Sequence, residues 1–332
     1  MLFRSGTDWI TFRQLTFQRT GSSTYGTVIR LDSVAIGVTI ENSVIIGPTT
    51  TATSNNSSLI FAANGGISID SIVTIRNNWL QNGSYGIFMS TANTTFRTAR
   101  NVIENNRIVN CGNRGIHVEN QRGIRVTGNT IEGAPSTTQF IGIYATNNDR
   151  GIQISNNRIS GTSTGLTYGI QLLTNTTVAG LTGLISNNFI SANSSSTAYG
   201  ILISAWTGGG LDIVYNSTNV TGNGSTAAGI AFNSTVSSGV RMFNNIFMSP
   251  QLGISIASGM SAGIAASDYN DLFGGVAAGS YNGTNAVTLA DWQAASALDS
   301  HSVSGDPQYI SATDLHAARS EEHTSELQSR GL

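Results

Sequence analysis

Residues 154–159 read ISNNRI, and residues 185–190 read ISNNFI. The same frame of aliphatic, any, any, Asn, any, aliphatic returns as IRNNWL (75–80), IENNRI (103–108) and VTGNTI (126–131). Weaker copies are IVYNST (213–218), MFNNIF (242–247) and SDYNDL (267–272), and IENSVI (40–45) holds the frame with Ser43 at the marker. The markers are Asn78, Asn106, Asn129, Asn157, Asn188, Asn216, Asn245 and Asn270, spaced 28, 23, 28, 31, 28, 29 and 25 apart. A second motif, Gly followed by Ile, interleaves at Gly86, Gly115, Gly142, Gly169, Gly200, Gly229 and Gly253, with steps of 29, 27, 27, 31, 29 and 24. Two motifs that share a period near 28 mark a solenoid.

The local pattern says which kind. Ile124-Arg125-Val126, Ile152-Gln153-Ile154 and Ile116-His117-Val118 alternate apolar with polar, which is strand periodicity. No long stretch of the repeat region keeps helical spacing. The expectation is an all-β, right-handed parallel β-helix over residues 1–275, with roughly ten coils of about 28 residues. At about 4.8 Å per coil the rod would be roughly 45 Å long.

Composition agrees. The chain has 332 residues, net charge −2 and mean hydropathy −0.00. Only 10% of residues are charged, against roughly a quarter in an average soluble domain. There are 38 Gly, 4 Pro and 32 Asn, and no Lys. Stacked coils set like residues over like, so columns of charge repel while Asn, Ser and Thr columns hydrogen-bond. Asn and Gly also tolerate left-handed turns, and Pro lacks the N–H that a ladder needs. The marker Asn residues therefore read as a structural ladder at a turn rather than as ligand contacts.

Several function classes drop out. A 39% hydrophobic content is not that of a disordered chain. The even charge gives no footprint for nucleic acid. Without Lys there is no P-loop, Schiff-base or Lys-base lyase chemistry. Cys111 is the lone cysteine, so no intrachain disulfide forms; between Asn110 and Gly112 it reads as a small buried filler rather than a nucleophile. No run of 18 apolar residues offers a membrane span, and no signal peptide is visible.

The two ends differ from the middle. TLADWQAAS (288–296) predicts a short helix with Thr288 as N-cap and Leu289, Trp292 and Ala295 on one face. DPQYISATDLH (306–316) reads as a final strand-like segment, and 276–318 as a partial C-terminal cap. Residues 319–329, RSEEHTSELQS, resemble the translation of a common sequencing adapter. The tail 319–332 is therefore read as non-native and expected to pack on nothing. The N-terminal cap and a signal peptide are expected to be missing by truncation.

The NN-x-I and GI repeats resemble right-handed parallel β-helix proteins of the pectate-lyase-like superfamily, of bacterial secreted or surface type. The W-Q, H-S, D-P, D-L-H series in 281–316 is similar to the segment that closes the helix in that group. The resemblance implies an exported, extracellular or cell-surface protein and supplies no activity. Polygalacturonase-like N-T-D, G-H-G and R-I-K motifs and an epimerase-like D-P-H-D are absent.

Stacking lets outward columns be written from sequence. The residue after each Gly-Ile gives Phe88, His117, Tyr144, Gln171, Leu202, Ala231 and Ser255. Two before the marker stand Arg76, Glu104, Thr127, Ser155, Ser186, Val214 and Phe243; after it stand Trp79, Arg107, Thr130, Arg158 and Phe189. Adjacent Phe88, His117 and Tyr144 suit stacking on sugar rings, with Arg114 and Arg125 as neighbouring ligand-binding candidates, or are covered by loops. Arg76 and Glu104 read as a surface ion pair. Residues 97–132 are the most polar stretch, holding six Arg. If the protein is an enzyme, His117 as base, Arg107 on a uronate carboxylate and Glu104 are its catalytic candidates; the alternative is a solvated face. The acids Asp70, Glu104, Glu119, Glu132, Asp149 and Asp212 are scattered, which gives calcium no support. No cofactor or metal is expected. The favoured reading is a monomeric polysaccharide-binding or adhesive surface protein; the alternative is a polysaccharide lyase or glycoside hydrolase acting on uronate polymers through 97–132.

Overall fold

A computed structural model describes residues 2–3, 9–21, 25–31, 36–64, 71–91, 94–95, 97–135, 137–222, 224, 226–236 and 239–316. The adapter-like tail and Asp70 lie outside them. The described chain coils into a parallel β-solenoid with three outer faces. The pre-ladder sheet has ten described strands, from Thr11–Arg13 to Ile264–Asp268, each ending just before a marker. Ten rungs enclose nine full turns, close to the expected coil number. The post-ladder strands follow the marker, as in Trp79–Gln81, Arg107–Cys111 and Phe189–Ser194. The Gly-Ile strands form the third face, as in Tyr85–Thr91, Arg114–Glu119 and Thr197–Ile203. Strand Arg158–Leu173 runs through both of the last two faces without a break. Each coil pairs in parallel with the next, and the final hairpin, Ala277–Tyr281 with Thr284–Ala286, is antiparallel.

Inside, one aliphatic position repeats on each face. Ile75, Ile103, Val126, Ile154, Ile185 and Ile213 stack in register on the first. Ile87, Ile116, Ile143, Ile170, Ile201, Ile230 and Ile254 stack on the third. All are fully buried, and each contributes about 1.5–3 kcal/mol of apolar transfer. The Gly of the Gly-Ile motif is required by close approach. A Cβ at Gly142 would lie 2.3 Å from Ile159 Cγ2 and 2.6 Å from the Gly169 carbonyl oxygen.

The Asn-Asn pair divides its labour. Asn77, Asn105, Asn156, Asn187 and Asn244, each just before a marker, take φ between 53 and 57° and turn the chain. The marker itself points inward and is buried. Asn157 accepts from the Asn129 backbone N–H and Nδ2, both at 3.0 Å, and its own Nδ2 donates to Asn188 Oδ1 and the Val126 carbonyl. The same bonds link Asn78, Asn106, Asn129, Asn157, Asn188, Asn216, Asn245 and Asn270 in one chain. In the side-chain-to-side-chain links every amide donates toward the C-terminus. The chain must therefore end on an acceptor, and it ends on Asp299, which takes Asn270 Nδ2, the Ser267 and Ser302 hydroxyls and Trp292 Nε1.

A second ladder sits at another corner. The Gln121 N–H donates to Asn148 Oδ1, and Asn148 N–H and Nδ2 both donate to Asn175 Oδ1. Again the preceding residues, Asn120, Asn147 and Thr174, carry positive φ.

Helix α1, Leu289–Ser296, closes the rod with Thr288 and Asp291 in a reciprocal capping box. Its Trp292 is fully buried. The segment 306–316 departs from expectation, because it contains no strand. After a bridge from Val303 to Asp271, the chain turns back as a strap over the post-ladder sheet. Tyr309 Oη donates to the Thr218 carbonyl, Asn219 Nδ2 donates to the Ala312 carbonyl, and the His316 ring packs edge-on against Phe189. Periodicity cannot announce such contacts, since the partners lie 91 and 93 residues apart. No described helix is long and apolar enough to cross a membrane.

Candidate functional site

The outward columns fall in the expected register. Phe88, His117, Tyr144, Gln171, Leu202, Ala231 and Ser255 align rung by rung on the Gly-Ile face. Phe61 extends the row by one rung. The rings pack on one another: Phe61–Phe88 centroids are 5.1 Å apart, Phe88–His117 4.5 Å and His117–Tyr144 4.8 Å. Phe88 and His117 are nonetheless only 7% and 6% exposed. Their cover comes from the same strands, three residues earlier. Tyr85 packs against both rings, and the Arg114 guanidinium lies 3.9 Å from the Tyr144 centroid and 5.3 Å from that of Tyr85.

His117 sits deep in this cluster. Its Nδ1 is 2.6 Å from Arg114 Nη1. Arg can only donate, so Nδ1 accepts and the proton sits on Nε2. Nε2 lies 3.5 Å from Glu119 Oε2, too far for a hydrogen bond, and it has no hydrogen-bond partner. Burial is the main force holding the imidazole down to about 4; the Arg114 charge adds to it and Glu119 opposes it. Glu119 is held below the usual carboxylate range chiefly by the His117 ring, with the Ser90 hydroxyl assisting.

The other candidates lie elsewhere. Arg125 and Glu104 are on the pre-ladder face, and Arg107 is on the post-ladder face. The stretch 97–132 is longer than one coil, so its polar groups distribute around all three faces. His117, Arg107 and Glu104 therefore do not share one site. Arg76 prefers Glu41, at 2.7 Å, over Glu104, at 3.9 Å. Cys111 is buried, and burial pushes its thiol up to about 12.

The post-ladder face carries the more open surface. Trp79, Arg107, Thr130, Arg158 and Phe189 align in register. Trp79 is half exposed. Arg107 pairs with Glu132 at 3.2 Å, and the Arg158 guanidinium lies 5.3 Å from the Phe189 centroid. Where the strap crosses, a cavity of about 360 Å³ opens, lined by Thr130, Glu132, Arg158, Ser160, Phe189 and Thr313 among others. The same column continues through Ser217, Ile246 and Asp271, alongside the strand positions Thr218 and Asn219 that the strap contacts.

At the corner between the first two faces the Asn rule breaks. Tyr215 and Tyr269 hold φ of 57° where most described rungs place Asn or Gly and the first places Gln14. A large side chain in that conformation costs about 1–2 kcal/mol. Both rings are exposed. His301, which precedes the ladder-end Ser302, stacks on Tyr269 with centroids 5.0 Å apart and planes 9° apart. Its Nδ1 is 2.7 Å from Asp268 Oδ2. Partial desolvation raises the Asp268 carboxyl, but hydrogen bonds from His301, Tyr269 and Ser300 outweigh it and bring it down to about 2. His301 belongs to the H-S pair of the closing series, and the Tyr-Asn dipeptides at 215–216 and 269–270 are the sequence signal for this corner.

None of the curated proteins matches the chain. Among solved structures, a mutant tailspike protein of E. coli bacteriophage HK620 in complex with a pentasaccharide aligns at 11% identity and TM-score 0.33, over 82% of this chain and 59% of that one. The catalytic domain of a GH87 alpha-1,3-glucanase in complex with tetrasaccharides aligns at 11% identity and TM-score 0.32, over 85% of this chain and 61% of that one. The chain thus spans about three fifths of the length of these structures. A family described as periplasmic copper-binding protein (NosD) matches residues 10–210, well over half the chain and most of the repeat. On that match the chain belongs to the NosD family.

Proposed function

We propose that this protein is an exported polysaccharide-binding β-helix that holds its ligand along the post-ladder face. The observation that carries this reading is the column Trp79–Arg107–Thr130–Arg158–Phe189. It offers aromatic and guanidinium groups at a rise of about 4.8 Å per rung, comparable with the advance per sugar in an extended chain. Exposed indole stacks on a pyranose face, and Arg pairs bidentately with a uronate carboxylate. The cavity beside Arg158 and Phe189 supplies the concave, mixed lining typical of a ligand subsite. Uronate-containing chains fit it best.

The family description names copper, and the donors here do not fit it. Copper takes converging His, Cys or Met ligands. His117, His301 and His316 lie at three separate places, each beside its own carboxylate. The Cys111 thiol is buried and protonated. Among the described residues no three His, Cys, Asp or Glu side chains gather.

Isothermal titration with oligogalacturonates tests the reading. Trp79→Ala and Arg107→Ala should each weaken binding about tenfold, in line with the loss of one stacking or charge-assisted contact. Unchanged affinity in both variants would sink it. Release of shortened products during the titration would replace binding with catalysis.

A further inference from the structure

We infer that the corner formed by Tyr215, Tyr269 and His301 is a separate binding site for a neutral, β-linked gluco-configured glycan. This goes beyond the Trp79–Phe189 stretch of the post-ladder column, which lies on rungs nearer the N-terminus.

The corner departs from the Asn or Gly that most described rungs place at this turn, as Gln14 does on the first rung. Asn77, Asn105, Asn156, Asn187 and Asn244 turn the chain with a residue suited to positive φ. Tyr215 and Tyr269 take the same turn with a residue that is not. Both rings are largely exposed, 57% and 56%, and the fold gains from them only the Tyr269–His301 stack. They are two rungs apart, about 10 Å at the sheet spacing, with the shorter Asn244 between them. A glycan whose successive rings flip presents equivalent faces at every second sugar, which matches a platform, a gap and a platform.

The surroundings select the ligand. His301 stacks on Tyr269 and is fixed by Asp268, so the ring pair is rigid before any ligand arrives. A hollow of about 400 Å³ adjoins it, lined by Asn244, Tyr269, Asp271 and His301 among others. The Asn side chain both accepts from and donates to sugar hydroxyls, and an Asp carboxylate accepts from them. Asp268 and Asp271 repel a uronate, which separates this site from the Arg-bearing column. Stacking on a tyrosine face suits a pyranose whose ring faces carry only axial hydrogens, that is, a gluco-configured sugar with equatorial substituents.

The test restores the rule. Tyr215→Asn and Tyr269→Asn, alone and together, are made in the full chain and titrated with cellohexaose and with hexagalacturonate. Each single variant should lose about fivefold in cellohexaose affinity and the pair more than tenfold. Thermal stability should stay level or rise, because Asn is the better residue at that turn. Hexagalacturonate affinity should not move, while Trp79→Ala should affect only hexagalacturonate. Absence of cellohexaose binding to the parent protein, unchanged affinity in the double variant, or a lowered melting temperature in both single variants would each overturn the inference. Loss of hexagalacturonate binding alone would strike the post-ladder column and leave the corner standing.

Discussion

At the scale of one residue, the marker Asn does what no other side chain does in that place. Its Oδ1 accepts two N–H groups from one neighbour, and its Nδ2 serves the next amide and a carbonyl. Ser lacks the second donor, and Asp would set like charges one rung apart. Asn157→Ala should therefore strand two donors on Asn129 and the Val126 carbonyl, each buried. Leaving such groups unmet costs about 1–3 kcal/mol apiece, so a loss of about 3 kcal/mol or more is expected in urea unfolding. A change below about 1 kcal/mol would show the ladder to be dispensable. The markers were legible because their spacing is regular. The split between a turning Asn and a bonding Asn was not, since both carry the same letter and only backbone φ separates them.

At the scale of the strand, the Gly-Ile face shows how register can be right while exposure is not. The column Phe88–His117–Tyr144 follows from period alone. Its burial depends on Tyr85 and Arg114, which share those strands but precede the glycine. The close packing that admits only Gly there also brings the earlier side chain over the later one. His117 is consequently buried neutral, and pH reads it out. Its imidazole is pulled down from 6.5 to about 4, so the unfolded chain binds the extra proton first. Its contribution is complete above pH 6.5 and is lost as pH falls through about 4, amounting to about 3 kcal/mol. Stability measured from pH 7.5 to 4 should slope downward on acidification, and the slope should flatten in His117→Gln. An unaltered slope in that variant would place the titrating group elsewhere.

At the scale of the whole molecule, coils contact mainly their neighbours, so stability is local and propagates along the rod. Asp299→Ala removes the acceptor that closes the ladder and the partner of Trp292. Hydrogen exchange in this variant should show the rungs near Asn245 and Asn270 losing protection first, with those near Asn106 unchanged. Uniform loss along the rod would mean that the rod unfolds as a single unit. Fold, coil number and closing helix were readable from sequence because each is a local or periodic property. The strap was not, because Tyr309 and Ala312 find partners that no repeat predicts.

The one-way ladder also gives the rod an electrical direction. Eight side-chain amides lie head to tail from Asn78 to Asn270, and aligned amide dipoles add as they do along an α-helix. The positive pole falls at the C-terminal end, where the Asp299 carboxylate receives it. A coil inserted between two others would meet the same acceptor above and the same donor below. Length can therefore change by whole coils without disturbing either pole.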